Sequence, residues 1–159
     1  MRTAVVTGSF DPITAGHVDI VARAAKLFDR VLVVAMINEE KKYLLTNQQK
    51  VAVMEDAVAH LSNVQVDFWP GMQVDYLRKV GACAIIKGIR NGKDAEYEQV
   101  QANFNKMHLP ECETLMFFAD EKYAHISSSE VKRRMRAGEP VDGMVTPLAE
   151  QMMRKQLEE

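Results

Sequence analysis

Residues 3–17 have the sequence TAVVTGSFDPITAGH, in which a short apolar run ends at a glycine turn and a helix follows. The run from Thr3 to Thr7 is rich in β-branched residues, which is typical of a buried strand. Apolar residues then recur at helical spacing at Val18, Val21 and Ala25. The chain is therefore predicted to begin with a strand followed by a helix.

The alternation of strand and helix continues to the end of the chain. Four further apolar runs predict strands: Val31 to Met36, Val64 to Phe68, Ala84 to Lys87 and Leu115 to Ala119. Amphipathic segments lie between them, most clearly those with Val51, Met54, Val58 and Leu61 on one face and with Val100, Phe104 and Met107 on another. This order predicts a Rossmann-like α/β fold, with a doubly wound parallel five-stranded sheet and helices on both faces.

Capping residues mark several helix ends. The pairs Thr46 with Gln49 and Ser127 with Glu130 fit capping boxes, Gly81 and Gly138 fit C-terminal caps, and Thr146-Pro147 fits the start of the last helix. Because ligands bind at the carboxyl ends of the strands in such folds, the loops there are where function is expected.

Size and composition indicate a single domain over residues 1–159 and restrict its partners. A chain of 159 residues with 47% hydrophobic content suffices for one substantial core. The net charge of −2 argues against a nucleic-acid or membrane-surface partner. The first apolar run reaches Gly8 too soon for a signal peptide, and no apolar stretch approaches the ~18 residues of a membrane span. We therefore expect a cytoplasmic protein.

The first candidate site residue is His17, in the first turn of the first helix. Helix N-termini present free N–H groups and positive partial charge, so an imidazole there, with Ser9 nearby, forms a donor cluster for phosphate oxygens. Neither a Walker loop nor a G-x-G-x-x-G motif is present. The alternative is that His17 only caps or packs the helix.

Two further segments carry polar clusters near predicted strand ends. Serine hydroxyls and backbone amides converge at Ile126 to Glu130, although a simple N-cap would need only one serine. Two cations flank a glycine in Lys87-Gly88-Ile89-Arg90, and Asp94 to Glu98 follows. The alternative for this stretch is a solvated basic turn followed by a charged helix face.

These segments resemble known signatures. Thr14-Ala15-Gly16-His17 is similar to the T-x-G-H or H-x-G-H motif of the nucleotidyltransferase superfamily, and Ile126-Ser127-Ser128-Ser129 resembles its second motif. Lys87-Gly88-Ile89-Arg90 and Asp94-Ala95-Glu96-Tyr97-Glu98 resemble the R-G-L-R and D-F-E-Y-E segments of phosphopantetheine adenylyltransferases. The likeness extends from Arg2 to about Leu157.

The resemblance implies an enzyme of coenzyme A biosynthesis. Such an enzyme transfers AMP from ATP to 4′-phosphopantetheine, releases pyrophosphate, uses Mg²⁺ on the triphosphate and forms a homohexamer. By resemblance, His17 is catalytic, and the acceptor is contacted by Ser9, Lys41, Gln73 and Lys87. The positions implied for ATP are Ser9, Phe10, His17, Gly88, Ile89, Arg90, Glu98, Tyr123, Ala124, His125, Ile126, Ser127, Ser128 and Ser129. No residue is implied as a metal ligand.

Three residues depart from the family pattern, and two other functions stay open. Lys87 replaces a common arginine, Ala95 a common phenylalanine, and His125 an aromatic hydrocarbon. The motifs contain no covalent nucleophile, which favours direct attack by the acceptor phosphate. The alternatives are a nucleotidyltransferase for nicotinamide mononucleotide or glycerol phosphate, and a noncatalytic nucleotide-binding regulator.

Overall fold

The computed structural model describes residues 1–159, in which strands and helices alternate. The strands are β1 Thr3–Gly8, β2 Arg30–Met36, β3 Val64–Trp69, β4 Ala84–Ile89 and β5 Glu113–Phe118. The helices are α1 Ala15–Leu27, α2 Asn47–Val58, α3 Gln73–Val80, α4 Gly92–His108, α5 Ser128–Arg136 and α6 Pro147–Glu158, with a 3-10 turn at Glu121–Tyr123 before α5. All five predicted strands are present, with ends that differ by one or two residues.

The sheet confirms the predicted doubly wound architecture. Its strand order is β3-β2-β1-β4-β5, and every neighbouring pair is parallel. The chain moves outward from β1 to β3 and then returns to place β4 against the other side of β1. A crevice opens at the carboxyl ends of β1 and β4, because the connections there leave in opposite directions.

The central strands are buried on both faces. Val6 and Ile86 belong to the larger apolar cluster, which also contains residues of α1, α2, α5 and α6. Val5 and Ile85 face the smaller cluster, which includes Leu77 of α3. This two-sided burial explains why the strand sequences are continuously apolar rather than alternating. None of the six α-helices combines the length and apolar character that a bilayer crossing requires.

The apolar stripe of α4 points away from the chain's own sheet. Val100 and Met107 are 75% and 77% exposed, and the sole fully buried residue of α4 is Asn105. Periodicity correctly predicts the helix, but it cannot identify what covers an apolar face. Leu61 also differs from the prediction, since it lies beyond the end of α2, although it still packs against the larger cluster.

Most of the predicted caps are formed. Thr46 and Gln49 make the reciprocal capping box of α2, Gly81 ends α3 in a left-handed conformation with φ 66°, and Thr146 caps α6 ahead of Pro147. The second predicted box is only half formed. Ser127 Oγ accepts from the Glu130 N–H, but the Glu130 carboxylate accepts from two arginines, Arg133 and Arg134.

Gly88 lets α1 approach β4 closely, and replacing it should strain that contact. A Cβ at this position would lie 3.1 Å from Ile20 Cγ1. We expect Gly88→Ala to lower the free energy of unfolding by about 1–3 kcal/mol, as overpacking does. Combined with Ile20→Ala, it should cost less than the sum of the two single changes.

Urea denaturation measures both effects, with Gly92→Ala as the matched control because a Cβ there meets no atom within 4 Å. A Gly88→Ala variant as stable as Gly92→Ala would show that α1 does not depend on this close approach.

Candidate functional site

A cavity of about 240 Å³ occupies the crevice above β1 and β4. Segments that are far apart in sequence converge on it: the β1–α1 turn, the end of β4, the start of α4 and the residues that lead into α5. The predicted residues in its lining are His17, Gly88, Arg90, Glu98, Tyr123, Ile126, Ser127 and Ser128. The three motifs of the sequence therefore form one site.

His17 is held by the cap of its own helix. The Thr14 hydroxyl oxygen accepts from the His17 backbone N–H at 3.4 Å, and the Thr14 backbone N–H donates to His17 Nδ1 at 2.9 Å. This is a capping box in which an imidazole replaces the usual Glu or Gln. Because Nδ1 accepts, the ring proton of the neutral imidazole is on Nε2. His17 thus caps the helix with one nitrogen and retains a donor on the other.

The surroundings of His17 keep it uncharged. Burial, followed by the positive charge of Arg90, lowers the pKa of His17 from 6.5 to about 4. The Phe10 ring meets the imidazole edge to face, with centroids 5.1 Å apart. At neutral pH, His17 is therefore a neutral hydrogen-bond donor beside a guanidinium.

The turn after β1 is shaped by Phe10. This residue has a φ of 47° and is buried, and its ring covers Gly8 so closely that a Cβ there would lie 3.1 Å from the ring. Phe10 therefore lies beneath the cavity, outside its lining. It supports His17 from below.

Asp11 joins this turn to its neighbours, a role that the sequence did not predict for it. It is 3% exposed, and its carboxylate accepts from the backbone N–H groups of Leu44 and Leu45, both at 2.9 Å. Lys132 of α5 lies 3.3 Å from the same carboxylate. A buried aspartate has no sequence signature that separates it from an ordinary turn aspartate, so only the fold reveals this role.

The serine segment makes a second connection to the same turn. Ser127 is the N-cap of α5, as predicted, and Ser128 Oγ donates to the Pro12 carbonyl at 2.8 Å. The start of α5 is thereby tied to the β1–α1 turn. Two helix N-termini, those of α1 and α5, contribute residues to the same cavity.

Ser9 and Lys41 border a second cavity of about 670 Å³ near the carboxyl ends of β2 and β3. Tyr43, Gly71 and Met72 also line it. The structure thus brings Ser9 and Lys41 together, but it separates Ser9 from the lining of the first cavity.

Gln73 and Lys87 line a third cavity, of about 420 Å³. Lys87 Nζ lies 3.5 Å from the Glu98 carboxylate, and Gln73 Oε1 accepts from the Thr7 hydroxyl at 3.4 Å. The remaining Gln73 donor, Nε2, is buried without a partner. The Lys87 ammonium at this cavity suits an anion. Glu98 lines both this cavity and the first one, so the two share a wall.

Other predicted residues lie outside the cavity linings. Ile89 is buried within β4, whereas His125 and Ser129 are exposed and Ala124 is half-buried. The first cavity is also lined by residues that were not assigned to it: Thr14, Gly16, Ile20, Asp94, Tyr97 and Ala119. The sequence offered a signal for three of these residues. Thr14 belongs to the T-x-G-H motif, and Asp94 and Tyr97 belong to the motif segment that follows Arg90.

The acidic residues of the first cavity are engaged with cations. The Asp94 carboxylate accepts from the Arg90 backbone N–H at 2.9 Å and lies 3.6 Å from Arg90 Nε, while Glu98 faces Lys87. The structure contains no group of three or more His, Cys, Asp or Glu side chains arranged to hold a metal ion. The site as a whole offers N–H donors, cations and helix N-termini to a polyanion.

Comparisons with known proteins agree with this chemistry. A family model described as cytidylyltransferase-like matches residues 5–134. The phosphopantetheine adenylyltransferase of Caldanaerobacter subterraneus is 40% identical over 156 residues, which cover 98% of each chain. That of Syntrophomonas wolfei is 41% identical over 91% of this chain and 90% of its own, and that of Heliobacterium modesticaldum is 45% identical over 92% and 88%.

The fold has a counterpart among solved structures. A putative nicotinate-nucleotide adenylyltransferase from Vibrio parahaemolyticus superposes with a TM-score of 0.76, covering 98% of this chain and 93% of its own. With 16% sequence identity, this likeness concerns the fold alone.

The protonation state of His17 is directly measurable. Two-bond ¹H–¹⁵N spectra should show a neutral ring with its proton on Nε2 at pH 7 and a titration midpoint of about 4. As the pH falls from 6.5 toward 4, the unfolded chain binds a proton before the folded chain does. The free energy of unfolding should therefore fall in that window.

The His17→Gln variant identifies the His17 signal and should lose that part of the pH dependence. A midpoint near 6.5, or a proton on Nδ1, would contradict the capping arrangement.

Proposed function

The chain belongs to the cytidylyltransferase-like family and, within it, to the phosphopantetheine adenylyltransferases, and from this premise we propose that it transfers the AMP part of ATP to 4′-phosphopantetheine. The products are dephospho-coenzyme A and pyrophosphate, which makes this a step of coenzyme A biosynthesis. The observation that carries the proposal is the neutral His17 donor at the head of a cavity lined by two helix starts.

We assign ATP to the first cavity. Arg90 and the serines at the start of α5 would bind the outer phosphates, since the cavity presents a guanidinium and a helix N-terminus on that side. Glu98 and Tyr123 are available to the nucleoside part. The Ser128 bond to Pro12 supports this assignment because it keeps the two phosphate-binding turns at a constant separation.

We assign the acceptor to the second and third cavities. Lys41 and Lys87 would hold its phosphate, and Ser9 and Gln73 would lie beside it. A lysine is a compact point charge without the planar fork of arginine, so Lys87 would attract this phosphate without bidentate geometry. The wide cavity beside Lys41 has room for the rest of the acceptor.

The reaction needs positioning and charge stabilisation more than proton transfer. A phosphate oxygen of the acceptor attacks the α-phosphorus of ATP, and a new P–O bond forms as the bond to the bridging oxygen of the β-phosphate breaks. Negative charge grows on the α-phosphate oxygens, where the Nε2–H of His17 can donate a hydrogen bond. With a pKa of about 4, His17 is neutral at pH 7. The one proton that remains, on Nε2, stays on the ring while it donates because a neutral imidazole is a very weak acid.

We propose that Mg²⁺ enters as part of the MgATP substrate. Asp94 and Glu98 already face cations, and no cluster of three metal-ligating side chains is present. The phosphates and water would supply the ligands, as is usual for Mg²⁺ with nucleotides.

We also propose a cytoplasmic homohexamer. Self-association is supported by the uncovered apolar stripe of α4, formed by Tyr97, Val100, Phe104 and Met107. An exposed stripe of this kind commonly marks a protein interface. The cytoplasmic assignment follows from the proposed substrates, because ATP-dependent steps of cofactor synthesis take place there.

Pyrophosphate release from ATP tests the function. We expect 4′-phosphopantetheine to be used at least about 100-fold more efficiently than nicotinamide mononucleotide or glycerol phosphate, with CTP also tried for the latter. Faster turnover with another acceptor would assign the chain a different nucleotidyltransferase activity. Nucleotide binding without turnover of any acceptor would favour the noncatalytic regulator.

Substitution of His17 should affect catalysis more than binding. His17→Gln supplies the Gln that normally accepts from an N-cap N–H, so the start of α1 should stay intact. We expect kcat to fall by about 100-fold or more, as on loss of one preorganised oxyanion donor, with a much smaller change in ATP affinity.

Steady-state kinetics and ATP titration measure the two quantities, and the exposed His108→Gln serves as the matched control. Near-normal turnover of His17→Gln, or a loss explained wholly by weaker ATP binding, would remove His17 from the catalytic role.

A further inference from the structure

Lys50 of α2 is a buried cation that none of the three cavities uses. Its side chain is fully buried, and its Nζ has no hydrogen-bond partner. Burying an ammonium without hydrogen bonds is unfavourable, because water solvates the charge far better than an apolar interior does. Because burial of Lys50 costs folding free energy, we expect this residue to do something other than fill the core.

The closest partner of the ammonium is an aromatic ring. Lys50 Nζ lies 3.2 Å from the centroid of Tyr43, a cation–π contact shielded from water. Three charged groups act on it from other segments: Asp11 from the β1–α1 turn, Lys132 from α5 and Lys41 from the loop after β2. Asp11 attracts the ammonium, and the two lysines repel it.

Tyr43 closes the loop that carries Lys41. The Tyr43 hydroxyl accepts from the Asn38 N–H at 3.0 Å, and the Lys41 N–H donates to the Asn38 carbonyl at 3.0 Å. We name residues 37–45 the acceptor loop. The C-terminal end of this loop is fixed by two hydrogen bonds, which the backbone N–H groups of Leu44 and Leu45 donate to the Asp11 carboxylate. The ring of Tyr43, and hence the tip with Lys41, rests on Lys50.

We propose that Lys50 is a positioning residue that holds the acceptor loop, and with it Lys41, in the geometry needed to bind the acceptor phosphate. The role of Lys41 in this statement rests on the proposed function. Lys50 itself touches no substrate; it acts through Tyr43.

The protonation of Lys50 gives this role a pH dependence. Burial lowers its pKa from 10.5 to about 8, with Asp11 opposing the shift and Lys132 and Lys41 adding to it. The cation is therefore present below about pH 8 and is lost above it. We expect KM for 4′-phosphopantetheine to rise above pH 8 in the wild type and to stay level in Lys50→Arg.

The pKa of Lys50 also distinguishes this positioning role from a role in stabilising the fold. Since the folded pKa lies below the unfolded value, the unfolded chain binds more protons between pH 8 and 10.5, and the free energy of unfolding rises with pH there. The charged form thus destabilises the fold. Replacing Lys50 by an apolar side chain of similar length should cost no stability.

Lys50→Met tests the proposal by kinetics. We expect KM for 4′-phosphopantetheine to rise about tenfold, the scale of a lost desolvated cation–π contact, with a much smaller change in KM for ATP. At pH 7 the free energy of unfolding should be unchanged or higher. Val53→Ala, on the same helix and equally buried, should show the reverse: lower stability with unchanged KM. Equal rises in both KM values, or none, would overturn the proposal.

Hydrogen exchange supplies a readout that does not depend on activity. Amides of residues 38–45 should exchange about tenfold faster in Lys50→Met and in Tyr43→Leu, and the double variant should be no faster than either. Lys50→Arg should restore slow exchange. Unchanged exchange in Lys50→Met, or additive effects, would overturn the positioning role. If the amides of residues 38–45 exchange slowly in the wild type but the protein does not transfer AMP to 4′-phosphopantetheine, only the proposed function is rejected.

Discussion

The geometry of the site depends on the hydrogen bonds and the ion pair made by one buried carboxylate, that of Asp11. It lies in the turn between β1 and α1, and it binds the backbone of Leu44 and Leu45 on one side and Lys132 on the other. Two loops at the carboxyl edge of the sheet and helix α5 are therefore joined by one side chain. A charge this deeply buried is tolerated because both carboxylate oxygens accept hydrogen bonds and Lys132 is close by.

Asp11 also sets the spacing between the starts of α1 and α5, to which we assign the phosphates of ATP. The turn that holds Asp11 also carries Phe10, whose ring supports His17, and Pro12, whose carbonyl accepts from Ser128. The start of α1 and the start of α5 are thus parts of one hydrogen-bonded unit. Preorganised donors of this kind stabilise charge without reorganisation during the reaction.

His17 illustrates how one local contact determines chemistry. The bond from the Thr14 N–H to Nδ1 completes a helix cap, and for that reason the ring proton is on the nitrogen that can meet a phosphate. Desolvation of the same ring lowers the pKa of His17 to about 4 and keeps it neutral. The capping arrangement that the structure shows is therefore compatible with the catalytic role that we propose for His17.

Sequence alone determined the features that arise from contacts a few residues apart. Strand and helix order, the caps at Thr46 and Thr146, and the position of His17 at a helix start follow from periodicity and neighbouring hydrogen bonds. The motif signatures likewise identified the segments that meet at the first cavity. Only the tertiary structure decided that Asp11 and Lys50 are buried, that Gln73 keeps an unpaired donor, and that the apolar stripe of α4 faces outward. The physical reason is that burial and pairing between residues as distant as Asp11 and Lys132 depend on the path of the whole chain, which local spacing does not encode.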